Sequence, residues 1–80
     1  MNSVLGYYKD LELGKTYTIS YRLQNGHLIT TTGFRFIQVT PKGFNFLDVN
    51  NHRCIFKGHF YRSKKNNKFF IVKNLTILKE

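Results

Sequence analysis

The chain has a single cysteine, few acidic residues and no long apolar run. The lone Cys54 excludes an intrachain disulfide, whereas small secreted domains normally carry several. The segment from Met1 to Gly6 lacks the basic and apolar parts of a signal peptide, and no stretch approaches the ~18 apolar residues of a membrane span. We therefore expect a cytoplasmic protein that does not insert into membranes.

The sequence also has little that would support catalysis or metal binding. Its acidic residues form no close pair that could serve as general acid and base. His52 and Cys54 lie two residues apart, but a structural zinc site needs four ligands. His27, His52 and His59 could act as the acid and base of a metal-free ribonuclease, although ordinary surface histidines are the default interpretation. We expect no enzyme, no metal and no cofactor.

No helical stripe of ten residues occurs, whereas strand patterns are frequent. Residues 16–23 alternate strictly between apolar and polar side chains, which predicts an amphipathic strand. Asn25-Gly26 follows and is typical of a hairpin with a type I′ turn. The return strand, about residues 27–39, is too long to remain flat, and Gly33 is its expected bulge.

The rest of the chain predicts further short strands joined by turns. Thr40-Pro41-Lys42-Gly43 has the composition of a turn, with proline at its favoured second position. The remaining predicted strands cover residues 44–49, 54–61, 68–72 and 75–78. In the strand 54–61, Cys54, Phe56 and Phe60 should face inward, and Lys57, His59 and Tyr61 outward. A solvated hairpin tip is expected at 62–67, and a brief turn at Lys73-Asn74.

Short strands in so few residues must avoid exposed sheet edges, and closing the sheet into a barrel does so economically. We predict an all-β fold, a small antiparallel barrel of five or six strands. The whole chain, residues 1–80, forms one domain, with an N-terminal leader at 1–13 and the barrel at 14–80.

The stretch from Tyr17 to Val49 resembles the group of small barrels that includes SH3-like and Sm-like folds. The resemblance rests on the first strand, the Asn25-Gly26 turn, the bend at Gly33 and the Phe46-Leu47-Asp48 run. The resemblance implies architecture only. Sm-like proteins bind RNA with an Asp/Asn pair between their second and third strands, and the corresponding residues 40–43 are Thr-Pro-Lys-Gly here, so this RNA-binding pocket is not carried over. An OB-like barrel is the alternative. Sm-like barrels form rings, so a homo-oligomer remains open.

Positive charge is concentrated in residues 51–80. This segment holds eight of the thirteen Lys and Arg residues but a single acid, Glu80, so its net charge is +7 out of +9 for the chain. Five aromatic residues lie among these cations. Cations beside planar rings are typical of proteins that bind nucleic acid.

The sequence therefore predicts a surface that binds single-stranded DNA or RNA, or contacts the nucleic-acid backbone, with little sequence specificity. This surface should consist of the strand before the basic hairpin, the hairpin itself and the strand after it. Lys57, His59 and Tyr61 should share one strand face at ~6–7 Å intervals, where Tyr61 could stack on a base. The candidate residues are Arg53, Lys57, His59, Tyr61, Arg62, Lys64, Lys65, Lys68 and Lys73.

Eight phenylalanines exceed what so small a barrel can enclose, so some rings should reach the surface. Phe69 and Phe70 are consecutive and point to opposite faces, so one of them should be exposed. Exposed rings also support an alternative function, a protein-interaction module. Such a module could be an accessory subunit of a replication or repair enzyme, or an inhibitor from a phage or mobile element, docking on an acidic partner.

Overall fold

The computed structural model describes residues 10–65 and 67–80, over which six antiparallel strands form one closed barrel. Each strand pairs with its neighbours in chain order, and the last strand pairs with the first. The strands are β1 (Thr16–Leu23), β2 (Leu28–Thr40), β3 (Gly43–Leu47), β4 (Arg53–Lys57), β5 (Phe60–Ser63) and β6 (Lys68–Lys79). The predicted all-β barrel is therefore confirmed. Residues 1–9 of the predicted leader and Asn66 of the hairpin tip lie outside the described residues.

Alternation along the strands places one set of side chains inside the barrel. In β1, Tyr17, Ile19 and Tyr21 are buried, as the period of two predicts. Aromatic rings from β2, β3 and β4 meet them, and Phe46 and Phe56 are the largest side chains that are fully buried. Edge-to-face packing of these rings fills the interior. Within the described residues, no helix is long and apolar enough to cross a membrane.

The predicted bulge at Gly33 is confirmed. Tyr17 pairs with Phe34, but Ile19 pairs with Thr31, so β2 carries one extra residue at this point. Gly33 has a φ of +77°, and its N–H donates to the Glu80 carboxylate at 2.7 Å. The bulge bends β2 so that its second half can pair with β3.

The hairpin between β1 and β2 is confirmed, but its predicted turn type is wrong. Gly26 N–H donates to Leu23 O at 2.9 Å, which makes Gln24 and Asn25 the central residues of the turn. Gly26 follows with a φ of +89°, whereas Asn25 does not have a positive φ. This is the longer hairpin connection in which a glycine bulge follows an ordinary turn.

The predicted single strand over 54–61 is wrong. The chain reverses at Gly58 and His59, so that Lys57 pairs with Phe60 and Phe56 with Tyr61. Gly58, with a φ of +56°, permits this two-residue turn. The reversal exchanges the predicted faces: Tyr61 points inward beside Phe56, and Phe60 points outward.

The predicted turn at Lys73-Asn74 is also wrong, because β6 runs through it without interruption. Arg22 pairs with Lys73 but Ser20 pairs with Thr76, so the extra residue forms a bulge at Asn74, whose φ is +53°. The first half of β6 pairs with β5 and the second half with β1. The basic C-terminal segment is thus the strand that closes the barrel.

Candidate nucleic-acid interface

The outer face of β4, β5 and β6 carries two rows of side chains that run across the strands. In one row Ile55, Arg62 and Phe69 are consecutive cross-strand partners. In the other, Lys57 pairs with Phe60, and Phe60 pairs with Ile71. Because alternate residues of a strand share a face, the hairpin at Gly58 brings cations and rings of both rows onto one surface.

These rows form one side of a groove of about 320 Å³, which we call the basic groove. Four cationic side chains line it, together with apolar and aromatic ones. None of the four acidic residues, all of which the structure describes, is among them. The lining residues are Pro41, Lys42, Ile55, Lys57, Phe60, Arg62, Lys64 and Phe69.

Three of the four acidic side chains are engaged elsewhere on the barrel. Glu12 pairs with Lys79 at 2.6 Å, and this neighbour lowers the pKa of the Glu12 carboxyl. Glu80 accepts from Gly33 N–H, which lowers the pKa of its carboxyl. Asp48 accepts backbone N–H groups within its own loop. The basic groove therefore has no internal carboxylate to neutralise it.

Two exposed phenylalanines form an aromatic shelf within the groove. The Phe60 and Phe69 rings have centroids 5.1 Å apart and an interplanar angle of 22°, and their side chains are 43% and 55% exposed. The Arg62 guanidinium lies 5.7 Å from the Phe69 ring centroid, within the range of a cation–π contact. Planar groups and a cation are therefore presented together to solvent.

The opposite wall is the turn between β2 and β3, which is held against β4. Lys57 Nζ donates to Pro41 O at 2.8 Å. At Gly43 the strands approach so closely that a Cβ would lie 2.5 Å from Phe56 O. Glycine is therefore required for this approach, which places Lys42 beside the groove.

The basic groove continues along β3 and β4 into a second depression of about 340 Å³. The two share Pro41, Lys42, Ile55 and Lys64, and the second adds Thr40, Asn45 and Arg53. Asn45 is buried, and its side-chain amide donates to Gly43 O at 3.1 Å and to Thr40 Oγ1 at 3.3 Å. Arg53 lines the second depression but not the first, so it extends the positive surface beyond the basic groove.

Four of the predicted site residues, Arg53, Lys57, Arg62 and Lys64, come together on this surface. The structure does not place the other five in either depression. They are His59, Tyr61, Lys65, Lys68 and Lys73.

Tyr61 departs most from its predicted position, because its side chain belongs to the core. Its ring stacks on Phe56 at 4.6 Å and on Phe70 at 5.8 Å. Its hydroxyl donates to Cys54 Sγ at 3.6 Å. Burial, and then the contacts with Cys54, raise the pKa of the Tyr61 phenol. The predicted outward row of Lys57, His59 and Tyr61 is therefore wrong.

The other four residues lie outside both depressions. His59 is exposed in the β4–β5 turn, where its carbonyl accepts Val72 N–H. Lys65 is exposed at the hairpin tip, and Lys68 pairs with Ser63 at the start of β6. Lys73 pairs with Arg22 of β1, farther along the barrel wall. Lys65 and Lys68 each adjoin a lining residue in sequence, Lys64 and Phe69, so their charges add positive potential near the groove.

Three residues that supply a cation or an exposed ring to the surface were not among the predicted site residues: Lys42, Phe60 and Phe69. Lys42 is distant in sequence and reaches the groove only through the folded turn at Gly43. Phe60 could have been found from Gly58, because a glycine within a strand pattern often marks a reversal or bulge, and a reversal there turns Phe60 outward. Phe69 is the exposed member of the Phe69–Phe70 pair, as the alternation of that pair predicts.

The three histidines lie in three different connections between strands: His27 between β1 and β2, His52 between β3 and β4, and His59 between β4 and β5. His52 Nδ1 lies 3.7 Å from Asp48 Oδ2 within the β3–β4 loop. Cys54 is buried, and that burial raises the pKa of its thiol. Over the part of the chain that the structure describes, no group of three or more His, Cys, Asp or Glu residues could hold a metal ion.

The chain was also compared with known proteins. The resemblance to SH3-like and Sm-like barrels is untested by these comparisons and stays a prediction. Family models, curated proteins and solved structures gave no match to this chain.

Proposed function

We propose that this protein binds single-stranded nucleic acid through the basic groove, with little sequence preference. One observation carries the proposal: four cationic side chains surround a pair of stacked, exposed phenylalanines, with no carboxylate among the lining residues. Cations neutralise phosphates, and exposed rings provide stacking surfaces for bases.

The aromatic shelf favours a single strand over a duplex. A base can stack on Phe60 or Phe69 only if it has left the base stack of its own helix, which single strands allow at low cost. Helix-in-groove recognition of duplex DNA requires a recognition helix, and residues 10–65 and 67–80 contain none. Weak sequence preference follows because phosphate contacts and stacking are common to all bases.

A titration at two salt concentrations tests the proposal. Fluorescence anisotropy with single-stranded DNA, duplex DNA and RNA of equal length should give the tightest binding to a single strand. If the four groove cations neutralise about four phosphates, the slope of log K against log salt should be about −3, a loss of roughly 50-fold between 50 and 200 mM. A flat salt response would contradict the proposal.

We propose the cytoplasm as the site of this activity. The single thiol, Cys54, is 1% exposed and unpaired, which suits a reducing compartment. Fractionation of cells that express the tagged protein would test this, and recovery from an oxidising compartment would contradict it.

A protein partner is the second candidate, because Phe60 and Phe69 adjoin the exposed side chain of Ile71. A continuous apolar patch ringed by cations suits an acidic protein surface. This chain would then be an accessory subunit of a replication or repair enzyme, or an inhibitor from a phage or mobile element that docks on an acidic partner. The variant Lys64→Glu/Lys65→Glu separates the two functions: retention of a protein partner with loss of nucleic-acid binding would indicate two separate surfaces.

A further inference from the structure

A recess lies on the other side of Phe69 from the basic groove. It has a volume of about 440 Å³ and is lined by Leu23, Gln24, Asn25, Phe69, Phe70 and Ile71. We call it the amide recess, because its two polar lining residues, Gln24 and Asn25, both carry a carboxamide. Phe69 lines both depressions, so the recess continues the basic groove across the aromatic shelf.

The recess follows from a mismatch in strand length. Pairing between β1 and β6 ends at Leu23 and Val72, whereas β6 extends back to Lys68 beside β5. The β1–β2 turn lies next to this part of β6, which pairs with β5 but extends beyond the pairing with β1, and the turn supplies the polar lining residues. Apolar side chains of β6 and two residues with carboxamides therefore line the same recess, a combination that suits a planar ligand with polar edges.

Asn25 has a fixed orientation. Its Oδ1 accepts the N–H of His27 at 3.0 Å, and a backbone N–H can only donate, so the atom that faces it must be the oxygen. The Nδ2 group remains as the free hydrogen-bonding end of the side chain, and it can only donate. Gln24 has no such constraint and can offer either its oxygen or its nitrogen.

The direction from which a base enters decides which of its groups meets Asn25. A base whose sugar and phosphates stay in the open basic groove points its sugar-distal edge into the recess. That edge carries a carbonyl oxygen in thymine, uracil and guanine, but an amino group in cytosine and adenine. A donor such as Asn25 Nδ2 bonds the carbonyl and leaves the amino group without a partner.

We propose that the amide recess takes one unpaired base of the bound strand and prefers bases with a carbonyl group at the sugar-distal position. This inference rests on the proposed function, and it adds a modest base preference at one position. The occupant is a base because the recess adjoins the basic groove through a ring that both share, and the side chains of β6 that line it are apolar.

The test compares dT12 with dC12 at pH 7.5 by fluorescence anisotropy, because thymine has a carbonyl and cytosine an amino group at the distal position. Thymine also carries a 5-methyl group and an N3–H, but these are the same for every protein variant, so the change caused by a substitution at Asn25 reports on the contact with Asn25. We expect dT12 to bind about three- to tenfold more tightly, as one hydrogen bond made or lost implies. Asn25→Ala should reduce this ratio to about one. Asn25→Asp, which replaces the donor with an acceptor, should reverse the ratio in favour of dC12.

Gln38→Ala is the matched control, because Gln38 is an exposed amide on β2 outside the recess, and it should leave the ratio unchanged. Circular dichroism of each variant checks that the barrel is retained. Salt-dependent binding with equal affinity for dT12 and dC12, or a ratio that Asn25→Ala leaves unchanged, would overturn the inference but not the proposed function. Failure of the wild-type protein to bind any oligonucleotide would instead overturn the proposed function.

Discussion

The ring of Phe60 stacks on the ring of Phe69 across two neighbouring strands, with the centroids 5.1 Å apart. The two residues are diagonal neighbours on the outer face, since Phe60 pairs with Ile71 and Phe69 with Arg62. Stacked rings usually lie in a protein interior, whereas these two are about half exposed. A pair of exposed rings beside four cations is the feature on which the proposed function rests.

Removing one ring of the shelf should weaken binding without unfolding the barrel. Phe69→Ala should cost about 1–3 kcal/mol of oligonucleotide binding and leave the salt slope unchanged. Its effect on the free energy of unfolding should be small, because the side chain is 55% exposed. Leu28→Ala is the matched control, since Leu28 is 57% exposed and lies outside the groove. Equal losses of affinity for the two variants would contradict the stacking role.

Neutralising a groove cation should change the salt dependence. Lys42→Gln and Lys64→Gln should each make the slope of log K against log salt less negative by about 0.7, and the double variant by about 1.4. Lys15→Gln is the control, because Lys15 is exposed but does not line the groove. Titrations at four salt concentrations would measure the slopes. A slope that responds to Lys15 as strongly as to Lys42 would mean that the whole surface, rather than the groove, binds the phosphates.

Tyr61 should behave as a core residue and not as a base-stacking one. Tyr61→Ala should lower the free energy of unfolding by about 3–5 kcal/mol, because it removes a ring packed on Phe56 and Phe70. Tyr61→Phe keeps that ring and should cost less than about 1.5 kcal/mol, with oligonucleotide affinity unchanged. Urea unfolding and anisotropy would measure the two quantities. If Tyr61→Phe binds more weakly while remaining as stable as the wild type, the phenol contacts nucleic acid after all.

The barrel should lose stability at high pH. Burial raises the pKa of Tyr21 to about 12 and also raises the pKa of Tyr61, whereas the phenols of the unfolded chain ionise near pH 10. The stability that these neutral phenols contribute is complete below about pH 10 and is lost as the pH rises toward their folded values, by about 1.4 kcal/mol per pH unit for each tyrosine. Urea unfolding between pH 8 and 12 would show this loss. The double variant Tyr21→Phe/Tyr61→Phe should have a shallower decline, and an identical decline would contradict the assignment.

The bulge at Gly33 should tolerate no side chain. A Cβ there would lie 2.5 Å from Val49 Cγ1, and the φ of +77° already disfavours any other residue. Gly33→Ala should therefore lower the free energy of unfolding by about 1–3 kcal/mol. In a Val49→Ala background the clash disappears and only the backbone strain remains, so the same substitution should cost less. A double-mutant cycle by urea unfolding would measure the difference, and strict additivity would show that Val49 does not cause the cost.

Local pattern was sufficient to predict much of the barrel. The alternation over residues 16–23 predicts the whole of β1, and the length of β2 with its central glycine predicts the bulge at Gly33. The reversal at Gly58 was missed because Cys54, Phe56 and Phe60 keep the same period on either side of it. The predicted turn at Lys73-Asn74 is a bulge instead: Asn74 has the positive φ that is common in turns, but pairing with β1 and β5 keeps β6 continuous.

The candidate site was predictable in its composition but not in its arrangement. Charge clustering in the C-terminal segment indicated Arg53, Lys57, Arg62 and Lys64, all of which reach the surface described here. The face on which each side chain lies depends on the reversal at Gly58, so Phe60 and Tyr61 exchanged roles. Lys42 joins the groove only through the close approach of Gly43 to β4, a contact between strands that no local pattern records.

Strand β6 pairs with β5 and with β1 and carries Phe69, so barrel closure and completion of the groove depend on the same strand. Tyr17 pairs with Lys79, which places the two partners at opposite ends of the described chain. During synthesis on the ribosome, β1 must wait for β6 to leave the exit tunnel before the barrel can close. Until then the growing chain has its cations but not its aromatic shelf, although it is surrounded by ribosomal RNA. Closure of the barrel therefore also completes the aromatic shelf, and the proposed binding of a base requires that closure.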